Sequence, residues 1–154
     1  MTTAATGDTL RTGTVKTPKG SSVSVFERQE ATSNEIASMN SYMYSRYPKA
    51  TRLRSATYKY NCHSYAWYST SSSNIWWMDN PGRYMSDGSY TKQSSAASGQ
   101  KIYYPMPGNQ HSGIITSVNG SSIMLNSKWG AYGLYNHSVI YCPYFSMYQN
   151  TYWK

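Results

Sequence analysis

Aromatic side chains take the place that aliphatic ones hold in most globular chains. Leu, Ile, Val and Phe together number only 18 of 154 residues, about 12%, a level that usually indicates disorder. Here 17 Tyr, 5 Trp and 8 Met offset that shortage. We therefore expect one folded domain with a largely aromatic core and Tyr rings at its rim. Only 13% of the residues are charged, which excludes a long coiled coil, and no stretch approaches the roughly 18 apolar residues of a membrane-spanning helix.

The charge balance and the polar composition bear on partners and location. Fourteen Lys and Arg against six Asp and Glu give a net charge of +8, which favours anionic partners such as nucleic acid or an anionic cell-wall polymer. Five cations lie from Arg46 to Lys59, interleaved with Tyr47 and Tyr58, but no helix-turn-helix, RNA-recognition or zinc-finger pattern surrounds them. A nucleic-acid-binding protein therefore stays only as a disfavoured alternative. A composition rich in Ser, Thr, Asn, Gly and Tyr is typical of an extracellular bacterial protein. We expect an extracellular or cell-wall location, with the signal peptide absent from this sequence.

Helix signals are concentrated in the first half of the chain. Residues 1–22 are rich in Thr, Gly and Ser and are predicted to form a flexible arm, followed by a single domain over residues 23–154. Thr32 or Ser33 can cap a helix. A second helix is predicted to start at Cys62, directly after a good N-cap residue.

Strand signals follow in the second half. We expect strands over residues 101–105, 111–118, 121–128 and 139–142. The dipeptide Asn119-Gly120 predicts a tight hairpin between the second and third of these. Helices that precede an antiparallel sheet indicate the α+β class.

The two cysteines allow two interpretations. Cys62 and Cys142 could form one disulfide, which would close a loop of about 80 residues. Alternatively, Cys62 is a nucleophile, because backbone N–H groups and the helix dipole at its predicted helix start favour a thiolate. The residues alone leave both interpretations open.

A thiolate nucleophile needs a base, and His111 is the best candidate among three histidines. It begins a predicted strand directly after a turn, which is a rigid and accessible position. His63 would point about 100° away from Cys62 on a helix and is expected to be structural. His137 lies in a predicted loop with no evident partner.

The predicted hairpin register suggests a residue that orients the base. If Val118 pairs with Ser121, Asn126 shares a face with His111 and its side-chain oxygen can accept a hydrogen bond from the imidazole. A slip of one residue would give that role to Ser127.

Two segments carry a resemblance to a known family. Residues 61–67 (NCHSYAW), followed by residues 111–115 (HSGII), resemble the NlpC-type cell-wall peptidases and the related CHAP amidases, which are papain-like cysteine hydrolases. With a later Ser-Lys-Trp-Gly at residues 127–130, the chain also resembles secreted Firmicutes proteins of unassigned function.

The resemblance implies a papain-like α+β fold, with N-terminal helices packed on a C-terminal antiparallel sheet. It also implies acyl transfer: Cys62 attacks an amide carbonyl, and His111, held by Asn126, handles the protons. The implied substrate is a peptide, above all a peptidoglycan stem peptide, and no metal or organic cofactor is needed. Most aromatic residues are expected in the core, but Trp129 directly follows the strand predicted over residues 121–128, where a groove wall would lie. We therefore expect Trp129, together with Tyr60, to bind substrate. A non-catalytic cell-wall or surface binding protein on the same fold, and a transamidase or toxin effector with the same three residues, stay open as alternatives.

Overall fold

Most of the regular structure is β-strand. The computed structural model describes residues 9–144 and 149–154. Its strands are β1 Thr9–Lys16, β2 Ser22–Arg28, β3 Thr51–Arg54, β4 Lys92–Gln93, β5 Lys101–Tyr104, β6 His111–Asn119, β7 Ser122–Lys128, β8 Leu134–Ser138 and β9 Thr151–Trp153. The helical elements are α1 Ser33–Arg46, a π-helix over Ser64–Tyr68 and the short helix α2 Gly82–Ser86.

The strands form two antiparallel sheets. Strands β1 and β2 make a two-stranded sheet, and the other seven follow the order β3-β8-β7-β6-β5-β9-β4. The chain thus combines helices with a large antiparallel sheet, as the α+β prediction requires, although the helices are few. No helix in the described part of the chain is long and apolar enough to cross a membrane.

Helix α1 confirms the predicted cap. The Thr32 side chain accepts from the backbone N–H of Glu35, and the Glu35 carboxylate accepts in turn from the Thr32 backbone N–H. This reciprocal capping box satisfies two backbone donors that the first turn would otherwise leave unpaired. The helix buries Met43 against the large sheet.

Separate layers cover the two faces of the large sheet. We call the face that carries Tyr104 and Leu125 the first face, and α1 packs on it through Met43. The second face carries Tyr103 and Ile114. It is covered by the π-helix and by the β1–β2 hairpin, whose buried residues are Ala66, Trp67, Val15, Val23 and Val25.

The prediction of a flexible arm over residues 1–22 is wrong for the residues that the structure describes. Strand β1 pairs with β2 along its length, and the buried side chain of Val15 joins the core of the second face. The predicted boundary between residues 22 and 23 therefore falls inside a hairpin. The Thr residues of β1 read as loop formers, but they are β-branched and suit a strand. Residues 1–8 lie outside the described residues.

Two further elements differ from their predictions. The backbone is helical from Cys62 onward, but it widens into the π-helix, in which the Ser69 N–H bonds to the Ser64 carbonyl. Residues 139–142 form turns and no strand: the Tyr141 N–H bonds back to the Ser138 carbonyl. The two strands of the large sheet that come last along the chain are β8 and β9, which flank this segment.

Candidate active site

Cys62 is a fully buried free thiol. Cys142 is also buried and is not joined to Cys62, so the disulfide interpretation is wrong. The Cys142 thiol lies 3.7 Å from the Val139 carbonyl oxygen, to which it donates. Both sulfurs are therefore available for thiol chemistry, in different surroundings.

The residue before Cys62 is clamped by its own amide group. The Asn61 side-chain nitrogen donates to the Met78 carbonyl over 2.7 Å. Its side-chain oxygen accepts from the backbone N–H groups of Met78, at 3.1 Å, and Ser64, at 3.3 Å. Asn61 therefore caps the helical turn, as predicted, and also fixes it to the segment around Met78.

The residue after Cys62 is bonded to the start of β6. His63 Nδ1 lies 2.7 Å from Ser112 Oγ, and the indole N–H of Trp67 donates to the same oxygen over 2.9 Å. Burial lowers the pKa of His63 to about 3, so its imidazole is neutral. Cys62 precedes His63 in the chain, and His111 precedes Ser112. The Cα atom of each therefore lies about 3.8 Å from the Cα atom of the bonded residue that follows it. The two predicted residues are thus brought to the same end of the sheet.

The His111 ring is turned away from the π-helix. His111 pairs with Tyr104 on the first face, whereas Ser112 and the π-helix belong to the second. Its ring stacks on Tyr144, with centroids 3.8 Å apart and planes 12° apart. Neither ring nitrogen has a hydrogen-bond partner in the part of the chain that the structure describes. Burial holds the pKa of His111 well below its usual range, so Cys62 and His111 form no ion pair in this state.

Asn126 does not orient His111, and that prediction is wrong. The hairpin closes with Asn119 paired to Ser122, and a bulge between Ile115 and Ser117 then moves the pairing by one residue, so that Asn126 pairs with Ile114 on the second face. There its side-chain oxygen accepts from Asn136 Nδ2 over 2.9 Å. The hairpin was predicted correctly, but its two turn residues are Gly120 and Ser121, one position later than predicted, and the predicted register is wrong.

The same shift places Ser127 on the first face with His111, but Ser127 has another partner. Its Oγ lies 2.7 Å from His137 Nε2. His137 Nδ1 lies 2.7 Å from the Ser138 carbonyl, which can only accept, so Nδ1 carries the proton and Nε2 accepts from the Ser127 hydroxyl. The indole of Trp129 also donates to Ser127 Oγ, over 3.1 Å. No spacing pattern in the sequence predicted that Ser127 and His137 would form this buried pair.

Of the two predicted substrate-binding residues, only Tyr60 lines a groove. Trp129 is fully buried and stacks on Tyr135, with centroids 4.0 Å apart, so it is a core residue and not a groove wall. Tyr60 is also buried, and its hydroxyl accepts from Arg54 Nη1 over 3.1 Å. Tyr60 nevertheless lines a groove of about 640 Å³ together with Arg52, Arg54 and Lys59.

Lys128 is the residue near Cys62 whose importance the sequence did not reveal. Its side chain is fully buried, and Nζ donates to the carbonyls of Thr57, at 2.8 Å, and Gly130, at 2.6 Å. The ammonium lies 5.2 Å from the centroid of the Tyr60 ring. Burial lowers the pKa of Lys128 to about 7, and a negative charge on Cys62 would raise it. Its place in the Ser-Lys-Trp-Gly motif was the only signal available.

Within residues 9–144 and 149–154, no group of three or more His, Cys, Asp or Glu side chains is arranged to hold a metal ion. Comparisons of the chain with protein-family models, with curated proteins and with solved structures found no match.

Proposed function

We propose that the chain is a papain-like cysteine hydrolase of the NlpC type that cleaves an amide or peptide bond, with peptidoglycan stem peptides as its substrate class. The observation that carries this proposal is the hydrogen bond between His63 and Ser112. It joins two segments that are far apart in sequence. As a result Cys62, which precedes His63, and His111, which precedes Ser112 at the start of β6, lie at the same end of the sheet. The net charge of +8 suits an extracellular protein that works on an anionic cell wall.

The unsatisfied imidazole of His111 supports a chemical role. A buried polar atom without a partner costs about 1–3 kcal/mol, and His111 has two such atoms. Native structures keep few of these groups, and a catalytic role is one of the reasons for which such a group persists. His63 differs in that its Nδ1 is hydrogen-bonded to Ser112 and only its Nε2 lacks a partner, whereas both ring nitrogens of His111, the residue proposed as the base, lack one among the described residues.

In the proposed reaction, the Cys62 thiolate attacks the carbonyl carbon of the scissile amide and forms an acyl-enzyme. His111 takes the thiol proton and delivers it to the leaving amine, and then removes a proton from the water that hydrolyses the thioester. Cys62 and His111 are both fully buried, so this cycle requires the Tyr144 ring to leave His111 and the imidazole to turn towards the thiol. Catalytic hydrogen bonds are often long or misaligned before substrate binds.

Thiol reactivity tests the proposal, and Cys142 provides a matched control within the same molecule. The native protein is treated with iodoacetamide at pH 6, and the label at each cysteine is followed by mass spectrometry. We expect Cys62 to react faster than Cys142, and His111→Ala to slow Cys62 alone. Cleavage of stem peptides, lost in Cys62→Ala and kept in Cys142→Ala, would then identify the substrate, and an added amine would divert the acyl group in a transamidase.

The complete burial of Cys62 and His111 favours one competing function, a non-catalytic cell-wall or surface binding protein on the same fold. In that case both cysteines would react only as fast as the protein unfolds, and His111→Ala would change neither rate. Binding to insoluble cell walls would then persist in Cys62→Ala. That combination of results would refute the hydrolase proposal.

A further inference from the structure

We propose that the ammonium group of Lys128 is the positive partner that stabilises the Cys62 thiolate, an inference that rests on the proposed function. Lys128 would then be a positioning residue: it would act on the charge of the nucleophile and not on the substrate. Nothing in the predicted set of Cys62, His111 and Asn126 supplies this charge, because the His111 imidazole is buried and neutral.

The burial of Lys128 is expensive and calls for a compensating anion. Removing a cation from water costs several kcal/mol unless an opposite charge faces it. Neither of the two ion pairs found among the described residues involves Lys128, since both are made by Glu27, with Arg11 and Lys59. Its carbonyl partners, Thr57 and Gly130, use two of the three ammonium protons.

Among the described residues whose charge would act on Lys128, a thiolate at Cys62 would attract its ammonium most strongly. Glu30 also attracts the ammonium, but more weakly, and Arg28 repels it. The Glu30 carboxylate is already bonded to Thr57 and to the backbone N–H of Tyr58. The thiol of Cys62 is therefore the group best placed to become the missing anion.

The fold explains why the two residues meet. Lys128 ends β7 on the second face of the sheet, the face on which the Cys62 segment is held by the bond between His63 and Ser112. Its ammonium reaches across to Thr57 and over the ring of Tyr60, two residues before Cys62. The cation thus lies beside the chain that delivers the nucleophile.

Burial lowers the pKa of Lys128 to about 7, so its protonation is in balance near neutral pH. A thiolate at Cys62 favours the protonated lysine, and the protonated lysine favours the thiolate to the same extent, because such coupling is reciprocal. Each residue can therefore be tested by a change at the other.

The first test measures the pH profile of Cys62 labelling by iodoacetamide in Lys128→Met. We expect the rate at pH 6 to fall about tenfold and the profile to move to higher pH, the size of effect that one nearby opposite charge has on an ionisation. Lys101→Met is the matched control, because Lys101 is also partly buried, with its ammonium 5.7 Å from the ring of Tyr90, and its profile should equal the wild-type one. A Lys128→Met profile that coincides with that of the wild type would overturn the inference.

The second test reads the coupling from the lysine side and does not depend on activity or on His111. The titration midpoint of Lys128 is followed by NMR of protein labelled at the lysine side chains. Cys62→Ala should lower this midpoint, and Cys142→Ala should leave it unchanged. An unchanged midpoint in Cys62→Ala would refute the pairing even if Lys128→Met failed to fold.

The outcomes separate this inference from the proposed function. If His111→Ala slows Cys62 labelling while the Lys128 tests show no coupling, the hydrolase stands and the role of Lys128 falls. If the NMR coupling is present but Cys62 reacts no faster than Cys142, the charge pair stands and the hydrolase falls.

Discussion

Acid should destabilise this protein strongly, because its histidines are buried in the neutral form. Burial lowers the pKa of His63 to about 3 and that of His137 to about 4, from an ordinary value of 6.5. Below pH 6.5 the unfolded chain therefore binds protons that the folded chain does not. Stability falls as the pH drops through 6.5 and stops falling only below the folded pKa values.

The size of the effect follows from these values. Between pH 7 and pH 5 each of the two histidines should remove about 2 kcal/mol from the free energy of unfolding, or about 4 kcal/mol together. His111, whose pKa is also lowered by burial, adds to this loss. Asp79 opposes it slightly, since burial raises the pKa of its carboxyl group. A domain of this size has only about 5–15 kcal/mol in total, so it should be close to unfolding at pH 5.

Urea denaturation, followed by the fluorescence of the five Trp residues, measures this loss. We expect the midpoint to fall steeply from pH 7 to pH 5 with little change in slope. His137→Gln removes one titrating group and should reduce the pH dependence by about 2 kcal/mol over the same range. Equal midpoints at pH 7 and pH 5 would refute the reasoning, because they would show that the buried histidines keep ordinary pKa values.

Three further substitutions test other parts of the structure. Tyr144→Ala removes the ring stacked on His111 and should speed iodoacetamide labelling of Cys62 relative to Cys142; an unchanged ratio would show that Tyr144 does not control access. Gly113→Ala should lower the free energy of unfolding by about 1–3 kcal/mol in urea denaturation, because its Cβ would lie 2.5 Å from Leu125 Cδ1. An unchanged free energy would mean that Leu125 can move aside without cost. Thr32→Ala breaks the capping box and should lower the free energy of unfolding by about 1 kcal/mol in the same measurement. An unchanged denaturation midpoint would show that the cap contributes nothing to stability.

Local signals in the sequence were reliable where local physics decides the structure. The cap candidate Thr32 predicted the start of α1, and Asn119-Gly120 predicted the hairpin between β6 and β7, although its turn lies one residue later. Backbone hydrogen bonds and left-handed turn geometry involve only neighbouring residues, so a short stretch of sequence carries them.

Longer-range features could not be read in the same way. The bulge after Ile115 exchanged the faces of Asn126 and Ser127, and no residue type in β6 marks it. Trp129 was expected at a groove wall because it follows a strand, but the scarcity of aliphatic residues draws its large ring into the core. Lys128 looks like a surface residue in sequence, and only the fold shows that its ammonium is surrounded by carbonyls and an aromatic ring.

The large sheet can be completed only late in folding, because its strands are not arranged in the order in which they follow along the chain. β3 is an edge strand bonded to β8, and β9 lies between β5 and β4 although it comes last in the sequence. Contacts between segments so far apart close slowly, because the chain loses loop entropy before it gains any pairing. Until β9 arrives, the edge of β5 is open to pairing with another chain, so the partly folded protein should be its most aggregation-prone form. Removal of β9, Thr151–Trp153, would leave that edge of β5 permanently exposed.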